Sequence, residues 1–204
     1  MASRKSSSAA AIAQELVEGR NSQDFAHYVA TVAEPGATAA TANLSARVIE
    51  EVVTLDPQLG APHIRTLVQL LNDERPRVAQ AGAQALPLIT KVAPAKVARQ
   101  MPVLQDRFDQ AQPVQRDAIV RIFVALCLAS VAYQKRVIGV LVRALEQADP
   151  KTLVQWAALA LPALKGEPHA QARAVVETRL PALPRPLAKK LADALGIKLR
   201  PQPR

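Results

Sequence analysis

The sequence predicts an all-α chain of repeated helical hairpins, and three observations carry that prediction. Pro76, Pro113 and Pro150 stand 37 residues apart twice. Nine apolar residues recur at matching distances ahead of these prolines. Long stretches rich in Ala, Leu, Gln and Arg run through a chain with only seven glycines, and these side chains lose little freedom on entering a helix.

The nine apolar residues fall in three sets, each ending five residues before its proline: Ile64, Leu67, Leu71; Met101, Leu104, Phe108; Ile138, Leu141, Leu145. Spacings of three and four put each set on one helix face. After the prolines come RVAQAGAQALPLI, VQRDAIVRIFVALCLA and KTLVQWAALALPAL, which again read as helices. Proline fits the first helical turn, where its missing N–H has no acceptor, so the prolines mark helix starts. Asp73 and Asp149 precede two of them and suit the positive helix end. Each unit is thus a hairpin that cannot cover its apolar surface alone, and stacking neighbours into a curved solenoid gives a shared core.

Outside these units, SQDFAHYVATVAE and ATAATANLSARVIEEVVTL form another pair joined at Pro35-Gly36, in a less regular register. PHAQARAVVETRLPAL and PRPLAKKLADALG form a terminal pair divided at Leu183-Pro184. The reading gives about four to five hairpins in one domain over residues 9–196, clearest within 62–165, with flexible tails at 1–8 and 197–204. Pro87, Pro102 and Pro162 lie inside expected helices and predict kinks or shortening there. Half the residues are hydrophobic but only 3% are aromatic, so the core is built from Ala, Leu, Val and Ile.

The joint in LVQLLNDERPRVAQAGAQAL resembles that of HEAT repeats, with Asp73, Pro76 and Val78 placed as in the family's D-x-x-P-x-V pattern. The basic residue that often follows the valine is Ala79 here, while Arg116 fills the equivalent slot of the next unit. The resemblance implies a right-handed α-solenoid of antiparallel hairpins, HEAT- or armadillo-like, and a tendency to bind partners. It brings no catalytic residue set.

Chemistry is sparse in the sequence. The phosphate-cradling, dinucleotide and H-E-x-x-H zinc patterns do not occur, and no catalytic, cofactor or metal residue is assigned. The lone Cys127 allows no internal disulfide and suits a reducing, cytoplasmic setting. Its apolar surroundings read it as a packing residue. His27, His63 and His169 read as surface or helix-start residues, and Asp106 with Asp109 as a solvated helix end. Trp156 occupies the position of Gly82 and Ile119 and reads as a wedge between repeats. Gln14, Glu15 and Glu18 interrupt the N-terminal apolar run before it can serve as a signal-peptide core. A membrane span is not expected, because charge-free apolar runs of about 18 residues do not occur.

Net charge is +9 and uneven: residues 21–60 hold five acidic side chains and one basic, and residues 165–204 nine basic and three acidic. Such a field attracts nucleic acid, anionic membrane or an acidic protein. HEAT-like solenoids generally line their concave side with second helices, which implies a partner-binding ladder of Arg77, Gln80, Gln84, Arg116, Arg121, Lys151 and Gln155. A second candidate is the basic C-terminal patch of Arg185, Lys189, Lys190, Lys198 and Arg200. The expected function is a non-enzymatic scaffold for a protein partner, with oligomeric state open. The alternative is a basic nucleic-acid-binding solenoid, related to HEAT-like alkylpurine DNA glycosylases, although six aromatic residues are few for such a cleft.

Overall fold

A computed structural model describes residues 8–196, and every regular element among them is helical. The chain divides into two compact units between Ile119 and Val120. The first unit opens with α1 (Ala9–Val17), α2 (Phe25–Ala33) and α3 (Ala39–Leu55), then a 3-10 segment, Pro57–His63. It continues with α4 (Ile64–Leu71), α5 (Pro76–Val92), α6 (Pro94–Ala98), α7 (Met101–Arg107) and a short 3-10 turn, Phe108–Gln110. Helix α8 (Pro113–Ala129) crosses the division. The second unit then holds α9 (Val131–Gln147), α10 (Pro150–Ala163), α11 (Gly166–Arg179) and α12 (Arg185–Leu195).

In both units helices two apart in the chain pack on each other, while the pairing of successive helices differs. In the first, α2 packs on α3 and α4 on α5, while α3 also meets α5 and α2 meets α4. In the second, α9 packs on α10 and α10 on α11, while α9 meets α11 and α10 meets α12. This pairing is compatible with stacked hairpins. Helix α1 packs on α3. Its cap is Ser8, a residue assigned to the flexible tail on sequence grounds, whose hydroxyl accepts from the Ala11 amide at 3.2 Å.

Pro76, Pro113 and Pro150 each occupy the first position of a helix. The donors left free at those helix starts are met in different ways. Asp149 accepts from the amides of Lys151 at 2.9 Å and Thr152 at 3.2 Å. Gln115 reaches back to accept from the Gln112 amide at 2.8 Å, one half of a capping box. Asp73 accepts from the Arg75 amide and is clamped by the Arg75 guanidinium, which holds its carboxyl below the usual range. The internal prolines behave differently from one another. Pro102 sits in the first turn of α7, after a break that leaves α6 and α7 short. Pro162 is the penultimate residue of α10, but α5 runs on through Pro87 to Val92.

Burial shows that the 37-residue period extends further than the prolines. Ser45, Gly82, Ile119 and Trp156 are equivalent and all buried, as are the residues one, four, seven and eight places beyond each. Helix α3, which starts at Ala39, thus shares the register of α5, α8 and α10. Its first-helix partner α2 does not, burying Phe25, Tyr28, Val29 and Val32 instead. Among the nine apolar residues that set the register, eight are buried and Ile138 is half-exposed. In α9 the buried side has turned toward Gln134, Val137 and Val140.

Two positions show how close the packing is. A Cβ at Gly82 would lie 2.6 Å from the Leu71 backbone nitrogen and 2.8 Å from the Leu67 carbonyl oxygen. Only glycine lets α4 approach α5 there. In the second unit Gln134 is 1% exposed and uses both ends of its amide. Its nitrogen donates to the carbonyls of Cys127 at 3.2 Å and Ala163 at 2.9 Å, and its oxygen accepts from the Lys165 amide at 2.9 Å. One side chain thereby satisfies the ends of α8 and α10 and the residue before α11.

Two predictions follow from these positions. Gly82→Ala should lower stability by about 1–3 kcal/mol, the usual cost of overpacking. Gln134→Leu should cost about 2–3 kcal/mol, because it strands a buried amide and two carbonyls. Urea unfolding of each variant checks both, and an unchanged midpoint for either would contradict the packing described.

Candidate interaction surfaces

The repeat that buries one set of positions also exposes another. Arg47, Gln84, Arg121 and Ala158 are equivalent and exposed, and so are Thr54, Lys91, Leu128 and Lys165 seven residues on. Backbone register holds these positions fixed while their chemistry varies from unit to unit. That is the arrangement of a surface free to differ on a framework that is not.

The expected ladder separates into two kinds of residue. Gln84, Arg121, Lys151 and Gln155 are exposed, and Gln80 is half-exposed. Arg77 instead makes a bidentate pair with Glu50, Nη1 donating to Oε1 at 2.8 Å and Nη2 to Oε2, which links α5 to α3. Arg116 donates from Nη2 to the Asp109 carbonyl at 2.7 Å and lies 5.7 Å from the centre of the Phe108 ring. Both arginines have a buried Nε with no hydrogen-bond partner among the described residues. Their guanidiniums are held inside the fold's own contacts.

The Arg116 contact belongs to a recurring device that sequence reasoning missed. Arg75 Nη2 donates to the Val32 carbonyl at 2.9 Å, in the last turn of α2. Arg179 Nη1 donates to the Leu145 carbonyl at 2.6 Å, in the last turn of α9. Asp109 ends the helical extension of α7 in the same way. Three guanidiniums thus satisfy orphan carbonyls and complement the negative ends of first helices. The signal was weak in sequence because the three arginines do not share a repeat position.

Charge differs sharply between the units. Residues 8–119 hold ten basic and twelve acidic side chains, and residues 120–196 hold eleven basic and five acidic. On α12, Arg185, Lys189 and Lys190 are exposed, while Ala188, Leu191 and Ala192 face the core. Lys198 and Arg200 of the expected basic patch lie outside the described residues.

Cys127 and Trp156 are buried and His63 and His169 partly so, while His27 and the Asp106–Asp109 pair are exposed. Cys127 is 2% exposed, and burial pushes its thiol up to about 12. His63 meets Phe25 edge-on at 5.5 Å, and burial lowers its pKa while nearby Asp24 opposes that shift. His27 is exposed, His169 is half-exposed, and Asp106 and Asp109 are exposed. Trp156 is 5% exposed. Among the described residues, no group of three His, Cys, Asp or Glu side chains is placed to hold a metal ion. No helix among them is long and apolar enough to cross a membrane. Comparison with protein-family models, curated proteins and solved structures finds no match to this chain.

Arg116→Ala should lower stability by about 1 kcal/mol, the net worth of one hydrogen bond to backbone. Gln84→Ala should leave the urea midpoint unchanged within about 0.5 kcal/mol, as exposed sites do. For Cys127, iodoacetamide at pH 8 should label the folded chain far more slowly than the urea-unfolded chain, since the thiolate is the nucleophile. Equal rates would show the thiol to be accessible.

Proposed function

We propose that the chain is a non-enzymatic, HEAT-like interaction scaffold that binds a protein partner along the exposed face of its second helices. In this reading the hairpins are antiparallel, and within each unit they stack as right-handed solenoid layers. The observation that carries it is the shared register of α3, α5, α8 and α10, which buries one set of positions and exposes another every 37 residues. A fold of this kind puts its information in the exposed set. Arg47 and Gln84 serve the first unit, and Arg121, Lys151 and Gln155 the second. Arg77 and Arg116 support that face from within.

The excess of basic over acidic residues between 120 and 196 favours a second reading, in which this unit binds nucleic acid through phosphate contacts. The two readings separate by salt. Phosphate binding releases counterions and weakens steeply between low and moderate salt. Neutralising Arg121, Lys189 and Lys190 should then lower affinity for duplex DNA or RNA and flatten the salt slope by about three units of neutralised charge. The scaffold reading expects negligible DNA or RNA binding at low salt, and a protein partner retained by the wild type and lost on combined Gln84→Ala and Arg121→Ala.

The repeat itself is open to test. Removing residues 113–149 joins Gln112 to Pro150 and keeps the register, so the shortened chain should retain a cooperative helical melt. Removing residues 113–130, which takes out half a period and joins Gln112 to Val131, should not. Loss of cooperativity in both chains would count against a modular repeat.

A further inference from the structure

Helix α12 packs on α10, which sets the exposed sides of the two helices next to each other. Together they carry four basic side chains, Lys151, Arg185, Lys189 and Lys190, and one acidic, Asp193. All five are exposed. The Arg185 guanidinium and the three ammonium groups make no hydrogen bond or ion pair among the described residues. They differ in this from Arg75, Arg77, Arg116 and Arg179, which carboxylates and carbonyls of the fold already engage. Arg185 also opens α12, where a cation opposes the helix dipole and the first turn holds no acid to offset it. Its charge does nothing for its own helix.

The chemistry around these cations narrows the occupant. The exposed large hydrophobic side chains of the described residues include none from α10 or α12. A bilayer surface, or the apolar side of an amphipathic helix, would find nothing there to bury against. Beside the cations stand the Gln155 amide and the exposed methyl groups of Ala158 and Ala194. These offer a hydrogen-bonding group and short side chains over which a peptide backbone can lie. Asp193 follows Lys190 by three residues and Lys189 by four, spacings that make them neighbours on the helix surface. A phosphate backbone carries charge at every step and would meet that carboxylate, whereas a polypeptide can set a neutral residue against it. Bases also find no aromatic surface to stack on, because Trp156, the one aromatic residue of the two helices, is 5% exposed.

We propose that the joint face of α10 and α12 binds an extended acidic segment of a protein partner, whose carboxylates pair with Lys151, Arg185, Lys189 and Lys190. The inference rests on the scaffold reading and names the chemistry of its partner at the second unit. Lys151 and Gln155 already belong to the second-helix face, and α12 adds three cations to it. Such binding draws on charge more than on buried apolar area, so it weakens with salt.

The test uses the full chain and peptides of about 12 residues, about 40 Å when extended, each carrying a neutral fluorophore. They alternate Gly or Ser with Glu, Gln or Lys, and fluorescence anisotropy reads their binding at low and moderate salt. The Glu peptide should bind at least about tenfold more tightly than the Gln peptide, and the Lys peptide should not bind, as charge complementarity requires. Combined Lys189→Glu and Lys190→Glu should weaken the Glu peptide about tenfold or more, and combined Lys189→Arg and Lys190→Arg should retain it. The same change of net charge made in the first unit, at the exposed Arg65 and Lys96 as Arg65→Glu with Lys96→Glu, should leave binding within about twofold, since distant exposed charges are screened. Thermal melts matching the wild type show that each variant is folded. Equal binding of the Glu and Gln peptides, no binding of the Glu peptide, or equal weakening by the first-unit variant would overturn the proposal. So would duplex DNA or phosphatidylglycerol vesicles that bind more tightly than the Glu peptide and are released by the α12 variant. A protein partner that ignores the α12 variant but requires Gln84 and Arg121 would remove this inference and leave the scaffold reading standing.

Discussion

A core made of Ala, Val and Leu has little reach, so helices that share it must lie close along their whole length. With aromatics at 3% of the chain, large side chains cannot bridge a gap between loosely spaced helices. Everything else in this fold answers to that constraint. The joints between paired helices are short, prolines fix where second helices begin, and the same five positions turn inward in α3, α5, α8 and α10. At Gly82 the constraint reaches its limit, with the backbone of α4 occupying the space a methyl group would need. Ile119 and Trp156 stand at the same register position, so an equivalent site can accept anything from no side chain to the largest one.

Close packing also consumes polar residues that look available in sequence. Helices packed at short range still end in four free carbonyls each. In this chain arginines from neighbouring segments meet several of them, as Arg75, Arg116 and Arg179 do. The positive charge of the chain is therefore partly internal bookkeeping between helices. What remains outward is concentrated after residue 120, on α9, α10 and α12.

Proline spacing made the helix starts at residues 76, 113 and 150 legible, because a proline at a helix start is a local chemical event that needs no tertiary partner. The apolar triplets were legible for the same reason, apart from Ile138, where Val137 and Val140 compete for the buried side of α9. Helix α3 was harder to place in register, since Ala39 stands where the other helices have proline and α2 follows a different apolar pattern. Of the candidate surface, Gln84, Arg121, Lys151 and Gln155 are exposed. Arg77 and Arg116 were not legible as half-buried and paired, because their partners, Glu50 and the Asp109 carbonyl, are set by packing and backbone geometry. Sequence also does not separate the two mid-helix glycines: the residue type is obligatory at Gly82 and unforced at Gly139.

Gln134 gives the second unit something that this composition otherwise denies it. A chain with one cysteine cannot tie distant segments together covalently. An amide side chain that donates at one end and accepts at the other joins Cys127, Ala163 and Lys165 around a single buried point. Glutamate would lose the donors and lysine the acceptor, so the position is narrow in chemistry though not in size. The resulting tie has no bond for a reductant to cleave and no proton to gain or lose near neutrality. It is a cross-link that a change of redox state or of acidity leaves untouched.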